Sequence, residues 1–298
     1  MKRKTRKFQG IGWTVLSAVM FGFNPLFSKT IYRMGGNPFM ITWVRLAVTA
    51  VGMMLVFKVI HPEQTIKVTG SELKKLFICS QGYSFTPLLM YASYNYISSG
   101  VATTIHFVYP ILVLIGSMIF LREKMGWMKR ISCVLCFLGI FFLGNSGGQI
   151  RAAGFGLAFA SALTFAMYIV YLDGSGLQAM NPAKLAAWLS VIGAVEVFVV
   201  VLITRNMIWD LSSGCILFMC LFGAVSGCLA STFFQMGTKL IGAASASMLS
   251  TFEPLTSIIV GAVVYKEVIT VKAVAGIFCI LAAVLMVAGT ELKTDKNS

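Results

Sequence analysis

The chain has 298 residues, 58% hydrophobic and 11% charged, with a formal net charge of +14 and a mean hydropathy of +0.86. A soluble domain carries roughly 25% charged residues, so this balance excludes one and predicts a polytopic, all-α integral membrane protein. The basic excess would suit a nucleic-acid binder only if it were gathered on one surface, and it is not.

A hydrocarbon core about 30 Å thick needs roughly 20 apolar residues of helix to cross it. Ten such stretches are predicted, near residues 10–32, 38–60, 73–97, 99–121, 127–144, 152–173, 183–204, 214–237, 241–265 and 269–289. The first follows a basic segment, Met1 to Lys7, and must be weighed as a signal peptide. Its length and its internal counterpart at 152–173 predict that it is a retained span. It carries Asn24-Pro25, a broken-helix signal, with Ser28 one turn on. Span two carries Arg45, expected to snorkel to the nearer interface or to pair with a carboxylate. Tyr83, Pro87, Tyr91, Tyr94 and Asn95 give span three a polar aromatic face.

Span four holds His106, Tyr109 and Pro110. Span five carries Cys133-Val-Leu-Cys136 without a second ligand pair, so small apolar filler is expected there. With seven cysteines, an odd number and all within predicted spans, no disulfide framework is expected. Glu196 falls midway along span seven, Gly223 and Gly227 give span eight a close-packing face, and Gln235 lies further along it. Span nine carries Glu253-Pro254.

The chain is written twice at a constant offset of 144 residues. Gly10 and Gly12 recur as Gly154 and Gly156, Ser17-Ala18 as Ser161-Ala162, Phe21 as Phe165, Asn37-Pro38 as Asn181-Pro182, Pro110 as Pro254 and Glu123 as Glu267. Tyr91 pairs in this register with Gln235, and Tyr109 with Glu253. Five spans per half is an odd number, so the second half is expected to enter the bilayer upside down, as in many secondary transporters. The predicted organisation is a cytoplasmic basic N-terminus at 1–9, repeats at 10–144 and 152–289, a linker at 145–151 and a cytoplasmic tail at 290–298. With the N-terminus inside, 17 of the 24 Lys and Arg residues face the cytoplasm, which satisfies the positive-inside rule. Anionic lipid headgroups are the natural partner of that charge.

A proline inside a helix cannot donate to the carbonyl four residues earlier, so Pro110 and Pro254 are expected to free the carbonyls of His106 and Ser250. Such carbonyls must face protein, water or a ligand within a bilayer. An ionised carboxylate at the bilayer centre costs about 2.5–3.5 kcal/mol on insertion scales, which makes Glu253 the leading functional candidate, with a structural, proton-sharing role as its alternative. The expected substrate-binding or coupling residues are Glu253, His106, Tyr109, Asn24, Tyr83, Tyr91 and Gln235. The expected helix-kink residues are Pro25, Pro87, Pro110 and Pro254.

These features resemble the EamA branch of the drug/metabolite transporter superfamily over nearly the whole chain. The resemblance rests on Phe21-Gly-Phe-Asn-Pro-Leu-Phe-Ser-Lys29, Arg45, the run Tyr91 to Gly100, Pro110 followed by Leu121-Arg-Glu123, and Phe252-Glu-Pro254 with Tyr265-Lys-Glu267. It implies a basket of ten helices around a central cavity and the movement of small metabolites, often amino acids or related compounds and often outward. Family members usually carry Trp-Gly where this chain has Phe21-Gly22, a departure at the pocket.

The expected function is a secondary transporter in the cytoplasmic (plasma) membrane of a bacterial-type cell, with both termini inside. Its expected cargo is an amino acid or a related zwitterionic, amine-bearing or uncharged solute, moved by alternating access and outward in the family's manner, with protons as a candidate coupling ion. A phosphate ester would need more cationic groups in the core than Arg45 alone supplies. A channel or an uncoupled permease is the alternative, and a membrane-embedded enzyme ranks below both, since no HExxH, paired-aspartate or nucleophile-elbow motif occurs. No cofactor, metal or nucleic acid is expected.

Overall fold

The structure, a computed structural model, describes residues 2–120, 126–144, 151–241, 249–250, 252–267 and 269–297. At 2–7, 114, 117, 129, 143–144, 238–239 and 287–297 it describes backbone alone. The described residues form helices and no strand. In chain order these are α1 (Lys2–Gly22), α2 (Asn24–Arg33), α3 (Pro38–Ile60), α4 (Gly70–Ser93), α5 (Ser99–His106), α6 (Tyr109–Phe120), α7 (Trp127–Gly144), α8 (Ala152–Ser175), α9 (Pro182–Ile203), α10 (Ser213–Phe222), a π-helical segment (Gly223–Ala230), α11 (Ser231–Ile241), α12 (Phe252–Tyr265) and α13 (Val271–Asn297). Most of the linker and Leu121-Arg-Glu123 lie outside the described residues.

Among the described residues, six helical stretches are long and apolar enough to cross a membrane: Phe8–Arg33, Pro38–Ile60, Ser99–Phe120, Ala152–Ser175, Pro182–Ile203 and Ser213–Gly237. Arg130–Phe142, Phe252–Tyr265 and Val271–Met286 are shorter apolar helices. α4 is long enough but carries Ser80, Gln81, Ser84 and Thr86 along its length. It packs against both α8 and α9, so these polar groups meet protein. α1 begins at Lys2 and α13 runs to Asn297, so helix continues through segments expected to be basic terminus and tail. Polar residues with fair helix propensity extend a helix past its apolar stretch without needing burial.

The repeated Asn-Pro pair starts the second helix of each half. Asn37 accepts a hydrogen bond from the Met40 N–H at 2.8 Å with Pro38 as the first helical residue, and Asn181 accepts from the Ala183 N–H at 3.0 Å ahead of Pro182. An asparagine N-cap satisfies an orphan donor, and proline at N1 lacks the N–H that would otherwise be unpaired. α4 starts on a reciprocal capping box between Thr69 and Glu72. The backbone N–H of Thr69, then its hydroxyl, hold the Glu72 carboxyl below the usual carboxylate range.

Packing between the halves follows the repeat register. α3 lies on α9 and α7 on α13, each helix meeting its own counterpart, while α5 packs on α12, the counterpart of α6. α4 on α8 is answered by α11 and the π segment on α1, and α6 on α8 by α12 on α1. Exchange of the two halves therefore maps these contacts onto one another, whereas α3 on α4 has no answer of like extent in the second half.

The π segment has no counterpart in α4, and Gly223 and Gly227 explain its place. A Cβ on Gly223 would lie 2.8 Å from Val48 Cβ and 3.2 Å from Arg45 Cα, and one on Gly227 would overlap Thr49. These glycines bring the segment's backbone against α3, the close approach that membrane helices use in place of a hydrophobic driving force. Gly227→Val is predicted to destabilise the protein by about 1–3 kcal/mol through overpacking. The check is a lowered thermal unfolding midpoint in detergent, with Gly156→Val, where a Cβ meets nothing within 4 Å, as the control that leaves it in place.

Candidate functional site

A cavity of about 450 Å³ lies between the two halves, within the range of about 300–1,000 Å³ common for small-molecule sites. Its wall is built from repeat counterparts: Phe21 with Phe165, Asn24 with Tyr168, Arg45 with Leu189, Tyr91 with Gln235, His106 with Ser250, and Tyr109 with Glu253. All seven side chains expected at a binding or coupling site, Glu253, His106, Tyr109, Asn24, Tyr83, Tyr91 and Gln235, line it. Of the expected kink residues, Pro87 is in the wall. Asn95, expected on the same face of span three, is exposed outside it.

Pro25 and Pro110 sit at helix breaks, whereas Pro87 lies within α4 without ending it. Pro25 opens α2 immediately after the interruption at Phe23. α5 ends at His106 and α6 begins at Tyr109, so the break falls at Phe107 and Val108, just before Pro110. Residue 110 has no N–H to offer the His106 carbonyl. The second half differs from expectation: the Ser250 carbonyl accepts the Glu253 N–H at 2.9 Å. A tight i to i+3 bond thus satisfies the group that Pro254 would have orphaned. Pro254 then lies in the first turn of α12, where proline is tolerated.

His106 is buried, with its Nδ1 3.0 Å from Ser161 Oγ. The Ser161 hydroxyl donates to the Ala158 carbonyl at 2.6 Å, which leaves it to accept from Nδ1–H and turns Nε2 into an acceptor. The ring sits 5.5 Å from Tyr109 and 5.6 Å from Phe165 between centroids. Gly22 lets α1 approach here, since a Cβ on it would lie 2.8 Å from the Glu253 carbonyl oxygen. From the described residues, no side chain donates a hydrogen bond to the Glu253 carboxylate.

Arg45 departs from the sequence expectation. Instead of reaching an interface it lines the cavity, with Cζ 6.0 Å from the centroid of the Tyr91 ring. The π segment packed on its Cα holds the backbone in place. The residue inventory alone pointed to the shorter route, because a long cationic side chain seven residues into a span can ordinarily reach water. Glu196, whose role the sequence left open, is met by α4: Ser80 Oγ donates to it at 2.6 Å and Ser84 Oγ at 2.9 Å, and Gln81 Nε2 also donates. This carboxylate ties α9 to α4 and lies outside the cavity wall.

The two ends of the cavity are unlike. At one end its wall runs out along Leu172 on α8 and along Pro182, Leu185 and Ala186 in the first turns of α9. Their repeat counterparts Pro38, Ile41 and Thr42 are buried and take no part in the wall. That other end is tied shut by Glu267. Its carboxylate accepts from the Ser99 N–H at 3.0 Å and the Ser99 hydroxyl at 2.9 Å at the start of α5, and it pairs with Lys29 of α2. Lys29 Nζ also lies 4.8 Å from the Tyr265 ring centroid, and Tyr265 OH donates to the Leu26 carbonyl at 3.0 Å. Lys266, at φ 55°, turns the chain so that Glu267 folds back; a non-glycine residue in that conformation persists only where its surroundings hold it. Lys29 carries no local signal of this role, because its partner lies 238 residues away.

Fold and cavity together define a multi-pass helical membrane protein in which two like halves meet around a cavity. The sequence model of the EamA-like transporter family matches residues 8–145 and 152–289, and the chain belongs to that family. It is 29% identical over 133 residues to an uncharacterized transporter of Archaeoglobus fulgidus, covering 44% of this chain and 48% of that one. It is 24% identical over 173 residues to the uncharacterized transporter YxxF of Bacillus subtilis, covering 56% and 54%. These matches span about half the length of the relatives. A solved crystal structure superimposes with a TM-score of 0.64 over 99% of both chains at 12% identity, a likeness of fold.

Two predictions follow from the unlike ends. In a background with the native cysteines replaced by alanine, Ala186→Cys reacts with a membrane-impermeant thiol reagent added from its own side of sealed vesicles, and at least tenfold more slowly from the other. Glu267→Gln, which removes the charge from a group holding both a lysine and a helix N-terminus, weakens the closed end by about 1–3 kcal/mol. Faster labelling of a cysteine at Asn24 from the Lys29 side checks this.

Proposed function

We propose that the protein is a secondary carrier that moves a small organic solute across the cytoplasmic membrane by alternating access, most naturally outward. Its two halves are five-helix units of opposite orientation, ten crossings in all, with both termini in the cytoplasm. The exchange symmetry of the packing supports this, as does the placement of basic residues such as Lys74, Lys75 and Lys184 at the cavity's accessible end. That end is then cytoplasmic, and the Lys29–Glu267 end external.

The observation that carries this reading is a cavity lined by counterpart residues of both halves, reaching the helix ends on one side and tied shut on the other. A site on the axis that relates two halves is reached from either face when the halves rock, and each half can adopt the conformation its counterpart now holds. A channel would need a continuous polar path, and the Glu267 tie interrupts one. The cargo is an amino acid or a related zwitterionic, amine-bearing or uncharged solute, since among the described residues Arg45 is the only basic side chain in a wall that is otherwise aromatic, aliphatic, amide and hydroxyl apart from His106 and Glu253.

Purified protein in proteoliposomes is predicted to show saturable counterflow of a labelled solute, the signature of a carrier rather than a pore. Glu253→Gln lowers the initial rate tenfold or more. Uptake by that variant equal to wild type across the pH range would remove Glu253 from the mechanism.

A further inference from the structure

A second hollow lies at the joint between α4 and α9, a groove of about 510 Å³ lined by Leu73, Lys74, Phe77 and Ile78 of α4 and Ile192 of α9. None of these residues lines the central cavity. Leu73, Phe77 and Ile78 are exposed apolar side chains at the start of the third predicted span, and lipid tails are as apolar as they are. On the next turn of both helices the joint is tied, since Ser80 and Gln81 donate to Glu196. Lys74 stands three residues before Phe77 and four before Ile78, so its stem shares their face of the helix.

The lysines at this end differ in what they meet. Lys75 Nζ donates to the Ser175 carbonyl at 2.8 Å and Lys184 Nζ to the Lys67 carbonyl at 2.7 Å. Lys74 Nζ has no hydrogen-bond or ion-pair partner among the described residues. The lysine on the groove is thus the one whose charge the protein leaves unanswered, and an ammonium group at the mouth of an apolar groove has the outline of a phospholipid, anionic head above acyl chain. The repeat supplies a comparison. In the other half Phe218 replaces Lys74, Phe222 replaces Ile78 and is buried against Phe27 at 5.0 Å between centroids, and Val48, the counterpart of Ile192, meets Gly223. There the same frame is packed shut and has no cation at the matching position. We propose that the α4–α9 groove binds one anionic phospholipid, its phosphate held by Lys74 and an acyl chain laid along Phe77, Ile78 and Ile192. Because α4 and α9 come from different halves and supply Tyr83, Pro87, Leu185 and Leu189 to the cavity wall, this lipid lies across the joint beside the cavity's accessible end. The site goes beyond the carrier reading and does not depend on it.

The test titrates the purified full chain in detergent with dioleoyl phosphatidylglycerol, which is anionic, and dioleoyl phosphatidylcholine, which is zwitterionic, and counts bound lipid by native mass spectrometry. Wild type is expected to retain one phosphatidylglycerol about fivefold more tightly than phosphatidylcholine, the preference that one lysine near a headgroup supplies. Lys74→Gln abolishes that preference. Lys58→Gln, which removes an exposed lysine outside the groove, keeps it. Ile192→Trp, which fills the groove, weakens both lipids. Equal loss of phosphatidylglycerol in Lys74→Gln and Lys58→Gln would mean diffuse surface charge and overturn the site, and so would unchanged binding by Ile192→Trp. Should a variant fail to fold, the wild-type titration decides: equal retention of the two lipids overturns the proposal, whatever solute the cavity carries.

Discussion

A charged side chain within a bilayer must be met by another charge, by hydrogen-bonding groups, by water or by cargo, and this constraint organises the molecule. Glu196 and Glu267 meet it inside the protein, the first through hydroxyl and amide donors of α4, the second through Lys29 and the start of α5. Each thereby joins elements that are distant in sequence. Arg45 and Glu253 meet it differently, by facing a cavity. The acids and bases thus divide into those that hold the bundle together and those that face the cavity, and the second group stands where the two halves meet.

The repeat explains why the cavity lies there. In the register that aligns the halves, aromatic Phe21 and Phe165 agree, while Tyr109 stands opposite Glu253, Arg45 opposite Leu189, and His106 opposite Ser250. The backbone frame is shared and the chemistry is divided between the halves. The same division appears at the cavity ends. Lys29, which closes one end, has Asp173 as its counterpart, so the charge pairing that ties the Glu267 end is not repeated by that position at the other. A bundle with equivalent halves but unequal ties has a built-in preference for which end is shut.

Much of this was legible in the chain itself. The offset of 144 residues placed the counterpart side chains, and Asn24-Pro25, Asn37-Pro38 and Asn181-Pro182 marked where helices break or begin, because proline and asparagine act through local backbone chemistry. The residues around Glu253 stood out because a carboxylate in an apolar run is anomalous on its own. What escaped were the interactions made through space. The Lys29–Glu267 tie and the α4 donors to Glu196 join segments with no shared local pattern. Arg45 was read as reaching water along the shortest route, whereas helix packing at Gly223 turns that stretch of α3 toward the axis. The π segment had only its glycines as a signal, and α4 fell short of an apolar span because its polar face is covered by protein.

The central claim is that the two ends of the bundle open in alternation around one site. Distances between spin labels measured by double electron–electron resonance test it most directly, with one pair at Asp173 and Leu240 near the accessible end and another at Met34 and Asn95 near the Glu267 end. The account predicts that a transported solute, or Glu267→Gln, shifts the two distance distributions in opposite senses, one pair closing as the other separates. Two distributions that stay fixed, or that widen together, would contradict it.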